Sequence, residues 1–439
     1  MKQLVRQTWA GLQERIVVLP LVYVACALLL SQFTLGLDQS LGEDSLPAIL
    51  LTTASSASSI LSTIAGGLIT AVTLLLSLVL VTVQLASSQF SPRTLPNWIG
   101  DRTQQRTIGM VLGTAVFCLV VLREIEDGGA SSFSPNISVL GAVVLTIVSL
   151  VAVVHAVDHL SNGMRVDSVA RGLVEDSLTA IGQLEDRLAL HDPTAAPATS
   201  SGAERPPPGA KTICASVSGW IQDIDIESIT QLLPDDSTVV IAAATGSFVV
   251  RDQPLCWVEH APAGPALDPT AGADGIDEQV QQSFTIGTSR LVDNDVSFGL
   301  LQMSDIAVRA LSPGINDPST AADLVVHMGI VLVRLWECPE AVPQSKLNGV
   351  SVRAPVATHG DYLSTAFAQT MHYAKDDYEA TAALIRTLLV LDSERIRRSM
   401  PGPAEPIESM LTELEEQIAA SELSEAGQRR LRSLLDANK

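Results

Sequence analysis

The residues with the most chemical promise lie in an uncharged stretch. Residues 45–91 contain no Asp, Glu, Lys or Arg. Within them Ser55, Ser59, Ser62, Gly66, Thr70, Thr73, Ser77, Gln84 and Ser88 recur at helical steps, broken only at the turn holding Leu80 and Val81. On a 3.6-residue repeat these positions share one face, and the opposite face is Ile, Leu and Val. A polar, small-residue stripe along a membrane helix has two readings. Small residues let helices approach closely, and hydroxyls bond across the contact or back to their own turn. Alternatively the face lines a hydrated path at an oligomer axis. Gln84 favours the second reading, because an amide in a bilayer needs partners. Gln89 and Arg93 follow, with Pro92 ending the helix. They are either a terminus with a snorkelling cation or a cytoplasmic mouth.

Two further constellations carry ionisable groups. His155, Asp158 and His159 stand at i, i+3 and i+4, so two imidazoles and a carboxylate share a helix face. They form a hydrogen-bonded interfacial cluster or a pH- or metal-sensing one. Arg290, Asp295, Asp305, Arg309, Asn316 and Asp317 surround two helix ends. They read as a capping and salt-bridge network, with a small-ligand site as the alternative. Nothing pairs a nucleophile with a base, and no P-loop, dinucleotide glycine pattern or metal motif occurs. The five cysteines (Cys26, Cys118, Cys214, Cys256, Cys338) have no metal or disulfide spacing. No catalytic residue, no cofactor and no confident metal site are expected, and the chain does not read as an enzyme.

The elements that hold these residues follow from composition. The chain has 439 residues, 47% hydrophobic and 17% charged, against roughly 25% charged in average soluble domains. The net charge of −21 is split unevenly: residues 1–160 hold seven basic and nine acidic residues, and the remainder holds twenty and thirty-nine. Such acidity argues against nucleic acid as a partner, because phosphate contacts need clustered Lys and Arg. An apolar half is joined to an acidic, water-soluble half.

Apolar runs at about 16–35, 58–86, 107–122 and 137–156 predict four membrane spans within a domain of residues 1–165. The Ser-rich residues before the second run either extend it outside or form a re-entrant segment. Lys and Arg concentrate before the first span, between the second and third, and after the fourth. The positive-inside rule then puts both termini in the cytoplasm of an inner membrane. Residues 166–210 predict a connecting helix and a Pro-rich linker. Residues 211–260 predict a small β module like the lipoyl-type sandwich, lacking the hairpin Lys of such domains. Residues 277–439 read as mainly helical. The fold class is thus an α-helical membrane protein with an α+β cytoplasmic domain.

Residues 295–321, with Asp295, Phe298-Gly299, Gln302, Ser304-Asp305, Arg309, Ser312-Pro313-Gly314 and Asn316-Asp317-Pro318, resemble the signature of domain-of-unknown-function family 2254, bacterial predicted membrane proteins. The segment 89–93, the span order and Gly360-Asp361-Tyr362 fit the same family. The resemblance implies a membrane protein with a cytoplasmic domain and brings no activity or catalytic residues.

The leading expectation is a homo-oligomeric ion channel in the lipid bilayer, with the second span along the path. Acids near a cytoplasmic mouth concentrate cations, so the permeant ion is expected to be a cation. The alternative is a non-conducting signalling or scaffold protein whose cytoplasmic domain binds a ligand or partner. A secondary transporter ranks third, because no repeat of broken helices is visible.

Overall fold

The computed structural model describes residues 18–41, 53–89, 101–127, 135–163, 165–189, 206–207, 209–259, 273–338, 344–399 and 404–436. Arg93 lies outside these, as do the side chains of Ser88 and Gln89. The chain divides into two compact units, residues 1–168 and 169–439.

The first unit is helical: α1 Val18–Leu41, α2 Ala54–Gln89, α3 Arg102–Asp127, α4 Asn136–Gly163, and the start of α5 Val166–Ala189. The Ser-rich residues from Ala54 onward continue α2 as one helix, so no re-entrant segment forms there. Its 36 residues span about 54 Å at about 1.5 Å rise per residue, well beyond a hydrocarbon core of about 30 Å. The third run is longer than its apolar part. Charged turns extend α3 at both ends, and Asp101 receives the Thr103 amide at 2.7 Å before its first turn.

α3 is the centre of this bundle, packing against α1, α2 and α4. Phe117, Cys118 and Val121 are buried on it, among Ala27 and Leu35 of α1, Ala57, Leu61 and Ala65 of α2, and Val139 and Ala142 of α4. The close approach of α1 depends on two glycines spaced by four. A Cβ at Gly109 would lie 2.9 Å from the Pro20 Cα and the Tyr23 ring, and one at Gly113 would lie 3.0 Å from the Tyr23 carbonyl oxygen. Buried polar groups tie the helices together. The Thr114 and Ser149 hydroxyls meet at 2.9 Å between α3 and α4. Asp38, at the end of α1, accepts the Ile137 and Ser138 amides at 2.8 and 3.0 Å and the Ser138 hydroxyl at 2.6 Å. It thereby satisfies the first orphan donors of α4.

The second unit adds β1 Lys211–Cys214, β2 Gly219–Ile224, α6 Ile226–Leu232, β3 Thr238–Ile241, β4 Phe248–Val249, β5 Pro254–Glu259, α7 Ala273–Gln282, β6 Phe284–Gly287, α8 Val296–Ala310, α9 Pro318–Leu335, β7 Gln344–Leu347, β8 Val350–Arg353, α10 His359–Ala374, α11 Tyr378–Arg397, α12 Ala404–Ala420 and α13 Glu425–Asp436. One sheet has the order β1-β5-β3-β8-β7 and the other β4-β2-β6. A shared core of Ile213, Ile221, Ile229, Val239, Leu255, Val280 and Val350 lies among these strands and helices. β2 and β4 pair with Trp220 opposite Phe248 and their rings edge to face at 5.4 Å.

The module at 211–260 is not a self-contained lipoyl-like sandwich. β2 takes β6 as its second neighbour, and β3 pairs in parallel with β8, so both sheets are completed from beyond residue 260. α10 ends at Ala374, and Asp377 caps a new helix by accepting the Ala380 amide at 2.8 Å. α9 packs on α8 and α11, with Leu324, Val325, Met328, Val331 and Leu332 buried.

Among the described residues, five helices are long and apolar enough to cross a membrane by length and composition: α1 to α4, and α9. α9 is the least apolar of them, and only α3 is more buried.

Candidate functional sites

The polar stripe of α2 faces away from its own bundle. Ala57, Leu61, Ala65, Leu68, Val72 and Leu75 form the buried edge. Ser59, Ser62, Gly66, Thr70, Thr73, Ser77 and Gln84 are all exposed, and a Cβ at Gly66 or Gly67 would meet nothing within 4 Å. The hydroxyls are not left bare. Thr70 donates to the Gly66 carbonyl at 2.9 Å, Thr73 to Ile69 at 3.0 Å, Ser77 to Thr73 at 2.9 Å and Ser62 to Ser59 at 3.1 Å. The hydrogens are spent on the helix itself, and the hydroxyl oxygens keep acceptor lone pairs for the outer face.

The His155, Asp158, His159 face is exposed and resolves into separate contacts. His159 Nε2 meets Asp101 Oδ2 at 2.8 Å, linking α4 to the start of α3. Its ring stacks on His155 with centroids 6.4 Å apart. Asp158 instead accepts the Asn162 amide at 3.2 Å. Among the described residues no group of three or more His, Cys, Asp or Glu is arranged to hold a metal ion.

The six-residue polar network lies along α8 and at the helix ends on either side of it. At the start, Arg290 Nε donates to Asp295 Oδ2 at 2.5 Å, while Asp295 Oδ1 caps the helix through the Phe298 amide at 3.0 Å. The guanidinium lies 5.1 Å over the Phe298 ring. This ion pair is also a bearing surface. The turn at Gly246 has φ +82°, and a Cβ there would strike the Asp295 carboxylate and the Arg290 guanidinium. At the far end, Asn316 adopts φ 52°, a left-handed conformation that Asn tolerates. Asp317 caps α9 through the Thr320 amide at 3.2 Å, with Pro318 in the first turn. Its hydrogen bonds from Thr320, partly offset by burial, hold the carboxyl below its ordinary range. Asp305 and Arg309 lie between, on α8, and both have partners of their own.

The start of α8 opens onto a cleft of about 180 Å³ that sequence reasoning did not find. Its walls come from α5 (Gln183, Leu184, Arg187), the turn at Ala244 and Thr245, Asn294–Ser297, and the start of α10 (His359, Tyr362). The 295–321 signature and the Gly360-Asp361-Tyr362 segment therefore meet here. Arg187 Nη2 is positioned by Asp223 Oδ1 at 2.8 Å and Asn294 Oδ1 at 2.6 Å. Burial, together with the Asp295 and Asp361 carboxylates, pushes the Tyr362 phenol up to about 12, so it stays protonated. Beside the cleft, Arg334 grips both Glu185 oxygens, at 2.8 and 2.6 Å, and Cys338 donates to the same carboxylate at 3.2 Å. The Arg334 hydrogen bonds hold Glu185 at about 2. Burial and the Glu185 carboxylate raise the Cys338 thiol to about 12. Tyr362 was the accessible signal in the sequence. Arg187 gave none, since its partners stand 36 and 107 residues away.

An apolar helical bundle joined to an acidic unit of two sheets and packed helices defines a class, that of multi-helix membrane proteins with an α+β C-terminal unit. The family model described as "Predicted membrane protein (DUF2254)" matches residues 13–389, and the chain belongs to that family. Uncharacterized proteins of Mycobacterium bovis and Mycobacterium tuberculosis are each 29% identical to it over 337 residues, covering 75% of this chain. The matched region spans 62% of the length of those relatives. No solved structure matches the chain.

Proposed function

We propose that this protein is a homo-oligomeric ion channel of the bacterial inner membrane, with α1 to α4 as its four spans and the polar face of α2 along the path. The observation that carries this reading is the exposure of that face. The close helix contact inside the subunit belongs to Gly109 and Gly113 on α3, so the stripe is not needed there. A row of hydroxyls and an amide gains nothing from lipid, whereas copies arranged about an axis give it water and each other. The outward lone pairs of Thr70, Thr73 and Ser77 suit a cation. Gln89 and Arg93 would lie at the cytoplasmic mouth. With four spans both termini are cytoplasmic, and α9, the least apolar candidate, remains in the C-terminal unit.

Reconstitution in liposomes tests the reading. Cation flux is expected, and Thr70→Leu, Thr73→Leu and Ser77→Leu should abolish it without altering thermal unfolding. Absence of flux across voltage, pH and membrane tension overturns the channel. It would leave the second reading, a membrane-anchored signalling or scaffold protein, which the cleft of the C-terminal unit favours.

A further inference from the structure

We propose that the cleft at the start of α8 is the polar half of a binding site for a small organic anion, a carboxylate or phosphate group carried on a compact apolar body. A second cavity of about 160 Å³ adjoins the first of about 180 Å³, and both share Leu184, Arg187, Ala244, Thr245, Pro355 and Val356 in their walls. Together they reach the lower end of ordinary ligand sites, roughly 300 Å³ upward. The chemistry of the two halves differs. The first adds Asn294, His359 and Tyr362 to a wall that is otherwise largely apolar. The second is walled by Ile224, Ile226, Ile241 and Val352. A ligand that fills both has a polar end and an aliphatic or ring-shaped end.

The sign of the polar end follows from how the charges are disposed. Among the described residues, Asp295 is the one carboxylate in the wall, and it is already bound to Arg290 and to the Phe298 amide. Among the described residues, Arg187 is the one Lys or Arg in the wall, and it stands where the halves join. Asp223 and Asn294 both accept from its Nη2 and anchor that nitrogen. A planar fork with five N–H donors takes an oxyanion alongside such partners. The protonated Tyr362 phenol supplies a neutral donor nearby. The ligand's anionic group would therefore sit at Arg187, with its apolar body against Ile241 and Val352.

The test uses the full chain in lipid nanodiscs, with calorimetric titration corrected for empty discs. Hexanoate and butyl phosphate are the probes; acetate, inorganic phosphate and 1-hexanol each supply only half of the ligand. Saturable binding of hexanoate or butyl phosphate is expected, with Kd below about 1 mM and at least about tenfold tighter than any half-ligand. Which probe binds more tightly identifies the head group. Arg187→Gln and Ala244→Leu, the latter narrowing the shared wall, should each weaken binding at least about tenfold. Should Arg187→Gln fail to fold, Ala244→Leu decides. Absence of saturable binding by either probe, equal binding of a half-ligand, or unchanged affinity in folded Ala244→Leu overturns the proposal. Ion flux plays no part in this readout, so it stands or falls separately from the channel.

Discussion

Two membrane helices carry small residues and use them in opposite ways. On α3, Gly109 and Gly113 face α1 so closely that added methyl groups would strike Pro20 and Tyr23. On α2, Gly66 and Gly67 face open space along a hydroxyl-lined surface. Small size alone does not specify a helix contact. α3 pairs a four-residue glycine spacing with an opposing proline and aromatic ring, and the interface closes. α2 has more small residues, and its packing is done by Leu61, Leu68, Val72 and Leu75 on the other edge.

Substitution is the most direct way to break this contrast. Gly109→Leu forces α1 and α3 apart and should cost about 3 kcal/mol or more of bundle stability, at the upper end of overpacking effects. Gly67→Leu should cost nothing and gain up to about 1 kcal/mol through helix propensity. Detergent unfolding of the two variants compares them directly, and equal damage would erase the distinction.

Gly246→Ala transfers the argument to the C-terminal unit. A positive φ and a blocked Cβ together should cost about 2 kcal/mol, read as a lowered thermal midpoint for that unit. Acid sharpens the picture next. Glu185 has a folded value near 2 against an ordinary 4.5. Its contribution is therefore complete above about pH 4.5 and disappears as pH falls towards 2. The carboxylate is 34% exposed, so solvent moderates the effect. Glu185→Gln should flatten that part of the pH–stability curve, and an unchanged curve would remove the Arg334 contact from the account. Gly66→Ala has a similarly small effect and should stabilise the subunit by up to about 1 kcal/mol through helix propensity alone. A loss instead would mean that a neighbouring surface already touches Gly66.

The α2 stripe was legible in the sequence because hydropathy and the helical period act within one element. The caps of α8 and α9 were legible for the same reason, with Asp295 and Asp317 each a few residues from the amides they accept. What escaped depends on partners distant in the chain. Strands of the 211–260 region look like a closed module until β6 and β8 join them. Gly109 and Gly113 acquire meaning only from Pro20 and Tyr23, which a search for polar faces passes over. The polar network was read around two helix ends, and the 15 residues of α8 hold those ends about 22 Å apart.

The central position of α3 also sets an order of biosynthesis. When α1 and α2 have left the ribosome, their main common neighbour has not yet been made, because both pack chiefly on α3. The first two helices must wait in the bilayer as separate spans, in the manner of two-stage membrane folding. Arrival of the third gathers them around Phe117 and Val121. The fourth then finds the Asp38 carboxylate in place for its first amides. A truncation before Arg102 should thus leave a pair of helices with little to hold them together, open to the proteases that clear orphaned membrane segments.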